Sequence, residues 1–485
     1  MASDIVLSRA GLNTRDRLVR KLNERFAAQV DLKNLDLSVF PRPRATGEGL
    51  VIRRKADGDA PPFLSIDRFT AASGLFHLLW FTPHVQRVKL EGLKIHTPRR
   101  RGEQANQGGG GKPRTVRFVM DEIIADGTVL EVASKTPGKD PLTFDISKLT
   151  LHSAGVDRPM SFDAVLRNPK PPGDIKSRGN FGPWSQDPGD TPVSGDYTFR
   201  NADLSVFKGI SGILSSDGRY HGTLDHIEVD GTTDVPHFEL KKRGQALPLK
   251  TRFHSIVDGT NGDTELRPVN ALLGRARILA EGAVKGTPGV KGKEVALDVT
   301  IQAQPLEDLL RLAVDDEPPL TGLVTLKTKL DLPQGDVEVV NKLRLDGSFT
   351  VASAKFTSFD VEQKITSLSR RAKGEPKKKG PGSVLSRFQG RFRLRDGVMS
   401  FSSLSFAIPG ASIDLTGTFN LARQELDFDG TVHIEAKLSQ MTTGIKSLLL
   451  KPVDPFFRRN GETVIPVKIG GTSKDPSFGL RLRGK

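Results

Sequence analysis

Nine histidines, 57 acidic residues and no cysteine are this chain's raw material for metal or acid–base chemistry. Their spacing assembles no site. Without cysteine, disulfides and thiolate metal centres are excluded. There is no HExxH, and the one close histidine pair, His221 and His226, flanks a predicted strand, GTLD. Five residues apart on a strand, the two point to opposite faces and read as ordinary polar positions. The tetraglycine before Lys112 resembles a phosphate loop only superficially. Asn106 stands where the first glycine is required, and Pro113 where Ser or Thr is needed. DGTNGDTE (258–265) departs from the acidic spacing of a calcium loop and reads as a turn. No GxSxG nucleophile elbow is present. These absences predict a protein that is not an enzyme, with no catalytic residue, no metal and no cofactor.

The elements around these residues explain why. In IDLTGTFNLARQELDFDGTVHIEA (413–436), apolar residues and glycines alternate with polar ones. That is the pattern of two strands, oily on one face and wetted on the other. Each strand places a glycine, Gly417 and Gly430, within its oily face. The pattern returns around Gly322, Gly347 and Gly390, and more loosely around Gly222 and Gly282. A glycine on the same face in strand after strand predicts a sheet that curls strongly about its oily side. Short helices are expected at 14–28, 74–81, 305–313, 361–372 and 438–450, from apolar residues at helical spacing. Residues 99–115, 168–195 and 370–382, rich in glycine, proline or charge, read as loops.

The fold class is therefore mainly β. Two coverings of the oily face are open. A second sheet would make closed sandwiches, and oily strand faces are usually core. A single curled sheet would instead leave an apolar trough for an apolar ligand, and too few helices are present to roof so many strands. With 72 basic against 57 acidic residues the net charge is +15, which favours anionic partners. Nucleic acid is disfavoured: there are 2 Tyr and 2 Trp, and the 26 Phe mostly occupy strand alternation. No apolar run is long enough to span a membrane, and MASDIVLSRAG shows no signal peptide.

Both ends of the chain carry a resemblance. Residues 18–53 hold an amphipathic helix, a strand ending in Phe40-Pro41 and the GEGL strand. FLSIDRFTAASGLFHLLW (63–80) and VQRVKLEGLKIHTP (85–98) follow. KLSQMTTGIKSLLLKPVDPFF (437–457) and GETVIPVKIGGTSKDPSFGL (461–480) stand near the other end. In order and spacing these segments resemble the AsmA family, related to TamB, YhdP and the bridge-like lipid-transfer proteins. The resemblance implies three regions: 1–98, AsmA-like N-terminal; 115–335, middle β-groove; 340–485, AsmA-like C-terminal. It implies a long curled antiparallel sheet forming an open hydrophobic groove, with short amphipathic helices at ends and edges. It also implies a periplasmic protein, anchored in the inner membrane by an N-terminal helix missing from this sequence. Its partners would be phospholipids, and its role lipid transport between inner and outer membranes in outer-membrane biogenesis. The alternative is a non-enzymatic scaffold or assembly factor for outer-membrane proteins, built from closed β-sandwiches.

On this reading acyl chains lie against Leu345, Phe349, Val351, Phe392, Leu394, Phe401, Ile413, Leu415, Phe419, Leu421, Leu426, Phe428, Val432 and Ile434. The helix at 438–450 carries Leu438, Met441, Ile445, Leu448 and Leu449 as a stripe, and Phe456, Phe457, Arg458 and Arg459 follow it. The stripe is either a lid on the end of the sheet or a contact to membrane or partner, with Ile445, Leu448, Leu449, Phe456, Phe457, Arg458 and Arg459 touching it.

Overall fold

Ser386–Arg395 shows in one strand why this sequence makes a two-faced sheet. Phe388, Gly390, Phe392 and Leu394 turn inward while Arg387, Gln389, Arg391, Arg393 and Arg395 stay in water. Phenylalanine, glycine and leucine in strict alternation with arginine and glutamine fit a pleat with one solvated side. In a computed structural model the described residues include 27 strands that form one sheet, and this arrangement recurs along it. The structure describes residues 15–16, 19–20, 23, 28–38, 44–54, 62–72, 84–96, 119–132, 142–154, 158–183, 185, 187–240, 243–290, 292–314, 317–335, 337–357, 366–367, 369–373, 386–437, 441, 458–459, 461–472 and 475–480.

From Val119–Val132 onward the sheet is almost wholly a meander, each long strand pairing antiparallel with the next. The expectation of an antiparallel sheet needs one correction. His84–Glu91 and Lys94–His96 pair in parallel with Val119–Val132. The sheet also runs unbroken across the expected regional boundaries, since Lys94–His96 pairs with Val119–Val132 and Leu320–Leu332 pairs with Arg344–Phe356. Residues 168–195, expected as a loop, instead supply the strand Pro172–Phe181 and the start of Pro192–Asp203. Ile175, Ser177, Gly179 and Phe181 alternate inward there, and a short turn around Pro171 replaces the long connection.

Of the expected helices, Leu306–Arg311 forms within 305–313. Described positions from Arg15 to Asn23 and from Thr366 to Ala372 are helical, whereas Ala28 already belongs to a strand. Val339–Lys342 is a further helix, not anticipated. The expected helix at 74–81 lies outside the described residues, as does that at 438–450 apart from Met441.

Three buried clusters punctuate the inner face. One lies under the first strands, around Leu32, Phe69, Leu90 and Ile123. A second, of Ile301, Val324, Val351 and Ala354, is covered by Leu306 and Leu309 of the short helix. The third joins Ala372 to Ile434 and Ala436. Between them many inner side chains are only half-buried, Tyr197, Val229, Phe253, Leu297 and Leu415 among them. Among the described residues every strand belongs to this one sheet, so no second sheet packs across it. The apolar face is an open groove.

The inner glycines answer to crowding as well as curvature. A Cβ on Gly347 would stand 2.8 Å from Thr328 Cα and 2.7 Å from Thr328 Cβ. One on Gly390 would meet Leu404 Cδ1 at 3.0 Å and Phe349 Cε1 at 3.1 Å. Neighbouring strands approach this closely on the concave side of a strongly coiled sheet, and aromatic rings lie over the vacant positions. Gly347→Val is expected to cost about 1–3 kcal/mol, because backbone rather than a mobile side-chain tip must shift. Gly479→Ala, where nothing lies within 4 Å, is expected to stay within about 0.5 kcal/mol. Urea unfolding of both variants checks the contrast; equal losses would contradict it.

Candidate functional site

Cross-strand partners share a face, so register shows what lies side by side along the groove. One row can be followed from strand to strand: Ala125, Leu149, Ala164, Ser177, Tyr197, Gly218, Gly231, Phe253, Val269, Ala280 and Val299. It continues through Thr328, Gly347, Phe392, Phe401, Gly417, Phe428, Ile469 and Phe478. In the other direction it reaches Leu90, Phe69, Gly47 and Leu35. No member is charged. At about 4.8 Å per strand, the path is on the order of 100 Å long.

Thirteen of the fourteen residues expected to line the trough stand on strands with this face in common. Leu345, Leu394, Phe419 and Leu426 share one row with Met399. Val351, Ile413 and Val432 share another with Phe388 and Phe406. Leu421 is the exception, in the turn beyond Asn420. Val351, Leu394 and Ile434 are buried, while Phe349, Phe401, Leu415 and Phe419 are partly open. The rings touch in sequence: Phe349 to Phe388 at 5.1 Å between centroids, Phe388 to Phe406 at 6.3 Å, and Phe401 to Phe428 at 5.7 Å.

Phe388, which shares the oily face of the Gly390 strand, joins this lining, as do Met399, Leu404 and Phe406, which were not expected there. The register shifts between Phe401 and Leu404, so the alternation breaks at Ser402-Ser403. A bulge of this kind returns Leu404 and Phe406 to the inner face although they are out of phase with Phe401. The middle of the groove was missed for another reason. Its inner positions include Ser177, Tyr197, Ser216, Thr233 and Thr251, which carry a weak apolar signal.

Those hydroxyls are paired. Tyr197 Oη lies 3.0 Å from Ser216 Oγ, which donates to the Thr232 carbonyl at 2.9 Å. Tyr220 Oη lies 2.7 Å from Ser177 Oγ, which donates to the Asp196 carbonyl at 3.0 Å. Burial pushes both phenols above their ordinary value against the opposing effect of these hydrogen bonds. They stay neutral donors at physiological pH.

One rim of the groove is pinned by Asp308, 1% exposed at the start of its helix. Asp308 Oδ2 accepts from the Arg275 backbone N–H at 2.7 Å and from Arg275 Nε at 3.0 Å. Its Oδ1 accepts from Arg275 Nη2 at 3.0 Å and Arg311 Nη1 at 2.9 Å. Burial alone would raise this carboxyl, but the Arg275 hydrogen bonds and the charges of Arg275 and Arg311 outweigh it and hold it below the usual range.

The outer face carries ion pairs such as Arg178–Asp163 at 2.9 Å and Arg393–Asp346 at 2.8 Å. Each is solvent-exposed and contributes roughly 0–1 kcal/mol. His221 and His226, expected on opposite faces, both approach Glu228, at 3.6 and 4.0 Å. In the intervening GTLD, Gly222 and Thr223 end one strand and Leu224-Asp225 turn the chain back into the next, a hairpin that brings both histidines to one face. Residues 258–263 form a turn in which Asp258 accepts from the Thr260 and Gly262 backbone N–H groups through its side chain and carbonyl respectively. Among the described residues no group of three potential ligands is placed to hold a metal, and no helix is long and apolar enough to cross a membrane. Of the expected membrane or partner contacts, Ile445, Leu448, Leu449, Phe456 and Phe457 lie outside the described residues. Arg458 and Arg459 form a short strand paired with Glu462–Gly471. Comparison of the chain with protein-family models, curated proteins and solved structures gave no match.

Proposed function

We propose that this chain is a non-enzymatic carrier that holds phospholipid acyl chains in its groove and passes them along it. The observation that carries the reading is the uncharged inner row from Leu35 to Phe478, half-open along much of its length. A sixteen-carbon chain exposed to water forfeits on the order of 13 kcal/mol, at about 0.8 per CH₂. A continuous uncharged and mostly apolar path lowers that penalty at each step while the charged outer face keeps the protein in water. No bond is made or broken, so no catalytic group is called for. The resemblance of both ends to the AsmA family supports placing the activity in the periplasm, between an inner-membrane anchor and the outer membrane. Photo-reactive residues at Phe349 and Phe419, both partly open, test the reading in cells. Capture of phospholipid at both supports it. Capture of protein alone at both would favour a scaffold for outer-membrane proteins.

A further inference from the structure

The segment Leu204–Ser211 links Pro192–Asp203 to Ile213–Thr223 at one edge of the sheet. The helix Val339–Lys342 links Leu320–Leu332 to Arg344–Phe356 at the opposite edge. Yet the Val339 N–H donates to the Lys208 carbonyl at 3.2 Å. A Cβ on Gly209 would stand 3.4 Å from Val339 Cβ. Opposite edges of one sheet can touch only if the sheet winds about itself. Twist of roughly 20–25° per strand accumulates to about half a turn over the strands between these segments. With the apolar face concave, the two lips meet across the groove and close that stretch into a channel.

The same winding holds the most polar part of the inner face. Tyr197, Ser216, Tyr220, Thr233 and Thr251 stand on consecutive strands within it. Thr233 Oγ1 and Thr251 Oγ1 are 2.7 Å apart, so one hydroxyl donates to the other and the second keeps its own proton for an acceptor. Tyr197 and Tyr220 spend their protons on serines, and their oxygens keep lone pairs. In an open trough the polar end of an amphiphile remains in water. Under closed lips it must travel inside, where it needs uncharged hydrogen-bonding partners.

Closure and hydroxyls coincide, and from this we infer that the wound section is a station for the glycerol-ester end of a phospholipid, contacted by Tyr197, Tyr220, Thr233 and Thr251. The inference rests on the lipid-carrier reading and adds a place where the polar end is held. Fatty tails then extend toward the phenylalanine-lined strands from Ser386 to Ile434.

Two arms test it on the full chain. The first introduces Gly209→Cys with Val339→Cys into a sequence that has no cysteine of its own. The Cβ separation is near the 3.5–4.5 Å of disulfides. Because Gly209 has φ of +106°, where cysteine is strained, Lys208→Cys with Val339→Cys repeats the test one residue away. A bond is expected to form in the folded protein and to slow exchange of bound lipid at least tenfold until reduced. Failure of both pairs to cross-link would overturn the closure, and unchanged exchange in the oxidised form would overturn its role.

The second arm uses phosphatidylethanolamine vesicles carrying a diazirine either at the glycerol end or at the tip of an acyl chain. The glycerol-end probe is expected to label residues 195–255 at least fivefold more than the tail probe, and Thr233→Val/Thr251→Val is expected to abolish that preference. Equal labelling by both probes would overturn the station. If neither probe labels the inner face while the cysteine pair still closes, the lipid reading fails and the station's occupant with it, but the channel stands.

Discussion

Leu415→Glu is expected to reduce phospholipid loading by two orders of magnitude or more while leaving the sheet folded. Leu415 is half-buried on the inner face, opposite Leu404 on one side and Gly430 on the other. A carboxylate there keeps most of its water while the groove is empty, so the cost to folding stays within about 2 kcal/mol. An acyl chain lying across it would strip that water. The penalty of several kcal/mol for burying an unpaired ion cannot be offset by apolar contacts at one strand. At 1.4 kcal/mol per decade, that is a loss of at least 100-fold. A closed sandwich behaves differently: the same change would place an unpaired charge in a core and unfold the protein. Circular dichroism and lipid content, measured on one preparation, separate these outcomes.

Asp308→Asn is expected to release the helix Leu306–Arg311 from the rim. A helix this short has no independent stability. Asparagine offers one acceptor oxygen where the carboxylate serves the Arg275 backbone, the Arg275 guanidinium and Arg311. Breaking a buried, multiply bonded carboxylate costs on the order of 3 kcal/mol, so amide exchange across the helix should accelerate about 100-fold. The pH response follows from the depressed native value of Asp308. An unfolded aspartate titrates at about 3.9. The stabilisation is complete above that pH and is lost as pH falls through the lower native value. Protection of the wild-type helix should therefore decline below about pH 4, while the variant, already deprived of it, shows little further change. Equal protection in both proteins at pH 7 would contradict the anchoring role.

The alternation of Ser386–Arg395, and of the hairpin 413–436, makes the two-faced sheet legible in the sequence, because period-two burial is local. The breaks in that period were harder to read. Ser402-Ser403 gives no residue-level sign that it is a bulge, so Leu404 and Phe406 fell outside the expected lining. Pro172–Phe181 looked like loop because its one proline and two glycines outnumber its two large apolar residues, and only pairing with Met160–Pro169 and Pro192–Asp203 makes it a strand. The approach of Lys208 to Val339 was beyond sequence reasoning altogether. It arises from twist summed over many strands, a quantity no short window of residues contains. The Asp308 cluster likewise joins Arg275 to a helix 33 residues on, through a turn that pattern reading treats as solvent-facing.

The central claim is that the inner face is a groove occupied by lipid, and native mass spectrometry of the intact chain purified without detergent tests it most directly. The account predicts bound species with phospholipid masses, released on mild activation, and their loss in Leu415→Glu prepared alongside. A wild-type protein that appears folded, lipid-free and unchanged in mass after incubation with phospholipid vesicles would contradict it.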